Sequence, residues 1–233
     1  MPLLDHFTVP VPLRQRWESF RMYWAAMIGS HLNDLLPNRF HTIIDKHRGV
    51  FEGLPSREDK PDLTALMQTD VRDVGKSNVS CFEVSFPAEL EVAVVDLEDS
   101  EKRVGVIQFV IPSNKSTAVH RRLFAGKSAN YLAKGIGPVI VNPVASVRVN
   151  LHDSLMDFLG FDETQYRGVS QDVAACELVD FGSSSRIDFW PHELRVGDAL
   201  PTVPFAIKEL HSVSLALEET YAEACRANNL LWK

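Results

Sequence analysis

Two short runs in the middle of the chain, VGVIQFVI (residues 104–111) and PVIV (138–141), are too brief for independent helices, and all but one of their side chains are apolar or glycine and proline. Between them, Thr117 to Lys134 carries His120, Leu123, Phe124, Lys127 and Tyr131 at helix-like spacing, and Gly135 stands where a helix commonly ends. A strand, a helix and a second strand without alternation describe parallel neighbours in a sheet covered by helices. The expected class is therefore α/β. One residue breaks the apolar pattern: Gln108, polar and uncharged, in the middle of the first run.

The flanking segments fill in the rest. Trp17, Phe20, Trp24, Met27, His31, Leu32 and Leu35 recur at helical spacing from about Arg16 to Leu36, and Pro37 supplies a stop. These aromatics read as core rather than as a platform for stacking bases. Strands are expected over Thr42 to Phe51, Pro61 to Leu66 and Leu90 to Leu97, the last turning through DSEK into residues 104–111. Downstream, ASVRVNL (145–151) alternates like an edge strand, IDFWP (187–191) follows the polar loop GSSSR (182–186), and a terminal helix is expected from about Ser214 to Leu230. No linker divides the chain. It reads as one α/β domain over residues 1–233, a mixed sheet flanked by helices, with a core at about 40–145 and an extension of about 145–233 packed on it.

Composition limits the function. A net charge of −7 argues against wholesale duplex binding through a basic coat. Three cysteines, Cys81, Cys176 and Cys225, form neither a disulfide framework nor a CxxC pair, so a reducing cytoplasm is expected. No apolar run approaches the roughly 20 residues that span a bilayer, and no membrane partner is expected.

The order PDL, a hairpin, then QFVIPSNK, RRLFAGKSANYLAKG and an apolar strand resembles a bacterial family catalogued as domain of unknown function four-zero-five-eight. FWPHELRVGDALPTVPFAIKE (189–209) is similar to that family's closing segment. The family in turn is similar to the restriction-endonuclease-like, PD-(D/E)xK fold, which implies such a core with helical additions at both ends. In active members an aspartate and a strand carboxylate hold a divalent metal that activates water against a phosphodiester, and a lysine stabilises the developing charge. Carried over, the aspartate falls on Asp62, the strand carboxylate on Gln108 and the lysine on Lys127, while the PSNK turn supplies Asn114 and Lys115.

Gln108, Ile140 and Asn142 stand where the resemblance leads one to expect Glu, Glu and Asp. A unit charge pair at 4 Å is worth about 4 kcal/mol at an effective dielectric of 20, and each lost carboxylate removes about twice that from a divalent cation's gross attraction. The resemblance thus implies a degenerate, non-catalytic member without a metal cofactor. The alternative is a phosphodiesterase or nuclease using Mg²⁺ or Mn²⁺, in which Asp62, Gln108 and Lys127 suffice with an acid from Glu83, Glu91 or Asp96. A protein-interaction scaffold is a further alternative. Taken singly, each residue also has an ordinary reading: a satisfied core amide at Gln108, a turn residue at Asp62, a solvated helix face at Lys127.

Residues 102–152 hold eight of the chain's 24 basic residues and none of its 31 acidic ones. Lys115, Arg121 and Arg122 fall near the first turn of the expected helix, where an anion, phosphate-bearing or nucleic acid, would dock beside Asn114. The opposing reading is that these cations pair with acids from elsewhere in the fold. Other motifs fail. Gly126-Lys127-Ser128 lacks the upstream glycine of a phosphate-binding loop, Gly135 and Gly137 lack the third glycine of a dinucleotide fingerprint, and the eight histidines show no ligand spacing.

Overall fold

The computed structural model describes residues 3–7, 12, 15–48, 88–142, 149–162, 166, 172–180, 185–210 and 212–230. Helix α1 (Trp17–Leu35) leads into β1 (Phe40–Arg48), β2 (Ala88–Asp96) and β3 (Lys102–Phe109). Then come α2 (Pro112–Ser116), α3 (Ala118–Ala133), β4 (Pro138–Val141) and α4 (Leu151–Leu159). The chain ends in β5 (Val173–Asp180), β6 (Ser185–His192), β7 (Thr202–Phe205), β8 (Val213–Ala216) and α5 (Leu217–Ala227). Strands β1 to β6 form one sheet in sequence order, and β7 pairs with β8.

The crossover is as expected: β3 and β4 are parallel, with Gln108 opposite Ile140, and the other pairs are antiparallel. The sheet is therefore mixed. The helix expected over Thr117 to Lys134 is α3, and the PSNK turn before it forms a short helix of its own. PSNK is the short α2, with Pro112 in its first turn and the Asn114 side chain accepting the Ile111 N–H at 2.8 Å. Thr117 then caps α3 by accepting the His120 N–H at 3.1 Å. Gly135, at φ +72°, ends it in the left-handed conformation that glycine adopts without strain.

The two faces of the sheet are covered differently. On one, Leu90, Val92, Ile107 and Phe109 pack with Trp17, Phe20 and Trp24 of α1 and Tyr221 of α5. The two indole N–H groups buried there are satisfied: the Trp17 indole donates to the Val110 carbonyl at 2.7 Å, and Trp24 to Thr220 at 3.0 Å. On the other face, Val110, Ile140 and Cys176 meet Phe124 and Leu132 of α3 and Leu151, Leu155 and Met156 of α4.

Several expectations are corrected. The strand expected over Thr42 to Phe51 begins earlier, at Phe40, and is described as far as Arg48; residues 49–51 and the expected strand at 61–66 lie outside the described residues. The edge strand read over 145–151 ends instead in α4: Asn150 accepts the His152 N–H at 3.1 Å, and residues 145–148 are not described. Leu151, Leu155, Met156 and Leu159 between Asn150 and Gly160 carried that helical signal, but the preceding alternation masked it. The terminal helix starts at Leu217, because residues 213–216 pair with β7. β6 includes Pro191, opposite Ala174, as an edge strand of the described sheet permits.

Two consequences are measurable. A Cβ at Gly137 would lie 2.2 Å from the Cys176 carbonyl oxygen of β5, so Gly137→Ala must push two strands apart. It is expected to cost more than about 3 kcal/mol in urea unfolding, against about 1 kcal/mol for Gly160→Ala, where only the positive φ resists. Equal costs would contradict this packing. Burial between Tyr166 and Phe189 pushes the His152 imidazole down to about 4. The unfolded imidazole takes a proton below about 6.5 and the folded one only near 4, so stability is full above that window and falls by roughly 3 kcal/mol across it. His6, also lowered by burial, adds to the same slope. His152→Leu is expected to flatten the fall of Tm between those pH values; an unchanged slope would show the ring to be protonated in the fold.

Candidate functional site

The face of β2 and β3 under α3 carries a chain of polar groups. Asp45, Glu91 and Gln108 lie side by side across β1, β2 and β3, since Asp45 is opposite Glu91 and Glu91 opposite Gln108. The register shifts between Val94 and Val95, and this bulge turns Arg103 onto the same face. From above, α3 contributes Lys127, Ser128 and Tyr131, which its 3.6-residue period places on one side.

Glu91 is the hub. Its Oε1 accepts the Gln108 side-chain N–H at 2.9 Å and lies 2.9 Å from Lys127 Nζ. Its Oε2 accepts from the Tyr131 hydroxyl at 2.9 Å and from Arg103 at 3.2 Å. Around it, Gln108 Oε1 accepts the Ser128 hydroxyl at 2.7 Å, Lys127 reaches Glu89 at 2.5 Å, and Arg103 donates to Tyr131 and Asp45. Glu91 is 1% exposed and Gln108 2%. Burial, and then the charge of Glu91, push the Tyr131 hydroxyl far above the ordinary phenol range, which keeps it a donor. Three carboxylates thus face two cations and two neutral donors, and the one that is fully buried, Glu91, meets both cations directly.

Gln108 and Lys127 therefore converge, through Glu91. Asp62 lies outside the described residues, as does Glu83, while Asp96 pairs with Arg39 at 2.5 Å away from this network. The acid-free window is partly neutralised from elsewhere: Lys102 pairs with Asp99, Arg103 with Asp45 and Glu91, and Lys127 with Glu89 and Glu91. The four anion-binding candidates divide. Asn114 and Lys115 are buried, Asn114 holds the Ile111 N–H, and burial lowers the Lys115 ammonium against a raising pull from Asp172. Arg121 and Arg122 instead line a cleft of about 430 Å³ between α3 and α4, with Ala118, Ser154, Asp157 and Phe158.

Each residue of the rejected GKS fragment has a structural task. Gly126 lets Phe158 lie against α3, its missing Cβ being 3.2 Å from that ring. Lys127 neutralises Glu89 and Glu91, and Ser128 holds Gln108. Sequence reading missed Asp45, Glu89, Arg103, Ser128 and Tyr131, and took Glu91 only as one of three alternative acids. The available signal was the lone acid inside the apolar strand LEVAVV, one strand away from a lone glutamine.

In active members of the fold that the sequence resembles, a divalent metal would sit beside the position of Gln108. Both oxygens of Glu91 are taken by four donors, two of them cationic, and among the described residues no three His, Cys, Asp or Glu side chains are grouped to hold a metal ion. Mg²⁺ and Mn²⁺ need carboxylate oxygens free to coordinate, so this donor set does not fit them. No protein-family model, no curated protein and no solved structure matches this chain.

Gln108→Glu would set a second carboxylate against Glu91 across the present 2.9 Å hydrogen bond. It is expected to lose about 2–4 kcal/mol near neutral pH and to regain part of it near pH 5, where one proton shared by the pair restores a donor. Urea unfolding at the two pH values checks this; wild-type stability at neutral pH would mean that Glu91 and Gln108 do not touch.

Proposed function

We propose that this chain is a catalytically silent, restriction-endonuclease-like protein whose former metal site is an internal polar clamp and whose activity is the binding of an anionic ligand. The observation that carries the reading is the donor direction at Gln108: where the resemblance expects a metal-holding carboxylate, an amide N–H is given to Glu91 at 2.9 Å. Lys127, where the resemblance expects a residue facing developing negative charge, is occupied by Glu89 and Glu91. The meander β1 to β3, the crossover through α3 and the parallel β4 support the fold assignment, with α1 and the elements from α4 onward as the additions. Anion binding rests on Arg121 and Arg122, which line an open cleft rather than the clamp. Cys176 and Cys225 are buried free thiols, which suits the reducing cytoplasm in which we place the protein. No helix among the described residues is long and apolar enough to cross a membrane.

A second reading, a Mg²⁺- or Mn²⁺-dependent phosphodiesterase, is favoured by one feature: Asp45, Glu89 and Glu91 stand on adjacent strands on one face. Calorimetric titration with Mn²⁺ and Mg²⁺, followed by a plasmid-nicking assay, separates the two. Neither heat of binding nor nicking is expected. Metal binding that Asp62→Ala abolishes would transfer the assignment to the phosphodiesterase. Gln108→Glu combined with Asn142→Asp is expected to gain metal affinity if the clamp keeps the geometry of a metal site.

A further inference from the structure

The cleft between α3 and α4 has a composition more specific than an anion trap. Arg121 spends one N–H on the Lys115 carbonyl at 3.0 Å, and neither it nor Arg122 has a carboxylate partner among the described residues. Lys102, Arg103 and Lys127, in the same stretch of chain, all have one. Two neighbouring guanidiniums without a carboxylate partner among the described residues, most of whose N–H groups are uncommitted, suit a phosphate. Thr117 already accepts the His120 N–H at the start of α3, so the case rests on side chains and not on the helix end.

The opposite wall is aromatic. Phe158 is 45% exposed, yet its ring is braced against Gly126 on α3, which leaves it fixed on one side and open on the other. Beside it stand the Ser154 hydroxyl and the Asp157 carboxylate, one oxygen of which accepts the Tyr166 hydroxyl while the other has no partner among the described residues. A cleft of about 430 Å³ is far larger than a lone phosphate requires and lies within the usual range for small-molecule sites. Cation pair, ring and acceptor together match a phosphate joined to a flat base that carries amino N–H groups.

We infer that the α3–α4 cleft binds a nucleoside monophosphate, free or as the phosphorylated end of a single strand, with the phosphate on Arg121 and Arg122 and the base on Phe158. Asp157 and Ser154 would take the N–H or hydroxyl donors of the base and sugar. This deepens the anion-binding reading above and rests on it.

The test is calorimetric titration of the full chain with adenosine monophosphate, adenosine, inorganic phosphate, a 5′-phosphorylated dinucleotide, its unphosphorylated form, and an acidic tyrosine peptide. Adenosine monophosphate is expected to bind roughly tenfold or more tightly than adenosine or phosphate, and less tightly as salt rises. Arg121→Ala and Arg122→Glu should each weaken it roughly tenfold. Phe158→Ala should weaken adenosine monophosphate roughly tenfold but leave phosphate unchanged, and its exposed position keeps the fold out of question. Gly126→Ala, which displaces the ring without removing it, should give a smaller loss of the same kind. A dinucleotide that binds only when phosphorylated supports the strand-end form; dinucleotides that fail while the monophosphate binds support the free ligand. Phosphate binding as well as the monophosphate would overturn this inference and leave the anion reading standing. Binding of none of these would overturn both, and tighter binding of the peptide would overturn the nucleotide assignment.

Discussion

A carboxylate sealed beneath a helix sets the requirements for much of what surrounds it. Glu91 is 1% exposed, and an ionised carboxylate removed from water without partners is unaffordable on the scale of a fold's net stability. Four donors meet it, from β3 and α3, and each must itself be positioned. The bulge in the β2–β3 pair brings Arg103 to the correct face, and α3 must present Lys127, Ser128 and Tyr131 together. The register of the hairpin, the rotation of α3 and the identity of Gln108 are therefore coupled through one buried charge. Removing a single member leaves the others charged and dry, whereas an apolar replacement of the whole set would be tolerated far better.

The same sheet shows how differently two faces achieve stability. Under α1 and α5 the packing is aromatic and non-directional apart from the indole hydrogen bonds, and a range of apolar side chains of similar volume would serve. Under α3 an apolar cluster is joined by directional packing around Glu91, where hydrogen bonds and ion pairs fix orientation as well as distance. A network so fully satisfied has little capacity left for chemistry. Catalytic carboxylates and lysines keep vacancies for metal, water or substrate, and here both oxygens of Glu91 and the ammonium of Lys127 are engaged. This underlies the proposal of a silent site, and it moves attention to the cations that the network does not use, Arg121 and Arg122.

Charge segregation along the chain becomes intelligible in the same terms. Residues 102–152 carry no acid, but β3 and α3 are neighbours of β1 and β2, whose carboxylates point at them. Opposite charges were divided between segments that the fold brings together. Among the described residues, Arg121 and Arg122, on the first turns of α3, lie beyond the reach of those strands and line the open cleft instead.

Much of the framework was legible beforehand. The uniform apolarity of residues 138–141, the helical spacing of α3 and Gly135 at its end required a parallel crossover, and the aromatic stripe of α1 required burial, because hydrophobic periodicity and glycine's freedom act locally and leave their mark in a few consecutive residues. Gln108 and Lys127 were legible as unusual residues; their partners were not. Glu91 and Gln108 meet because of a strand register, Arg103 joins them because of a bulge, and Lys127 reaches Glu89 across 38 residues of sequence. Likewise the cleft combines Arg121 with Phe158 only because α3 packs on α4 at Gly126. Local periodicity decided which elements form and which sides they bury. Which charge meets which depended on distances between atoms far apart in the chain, and those exist only once the elements are packed.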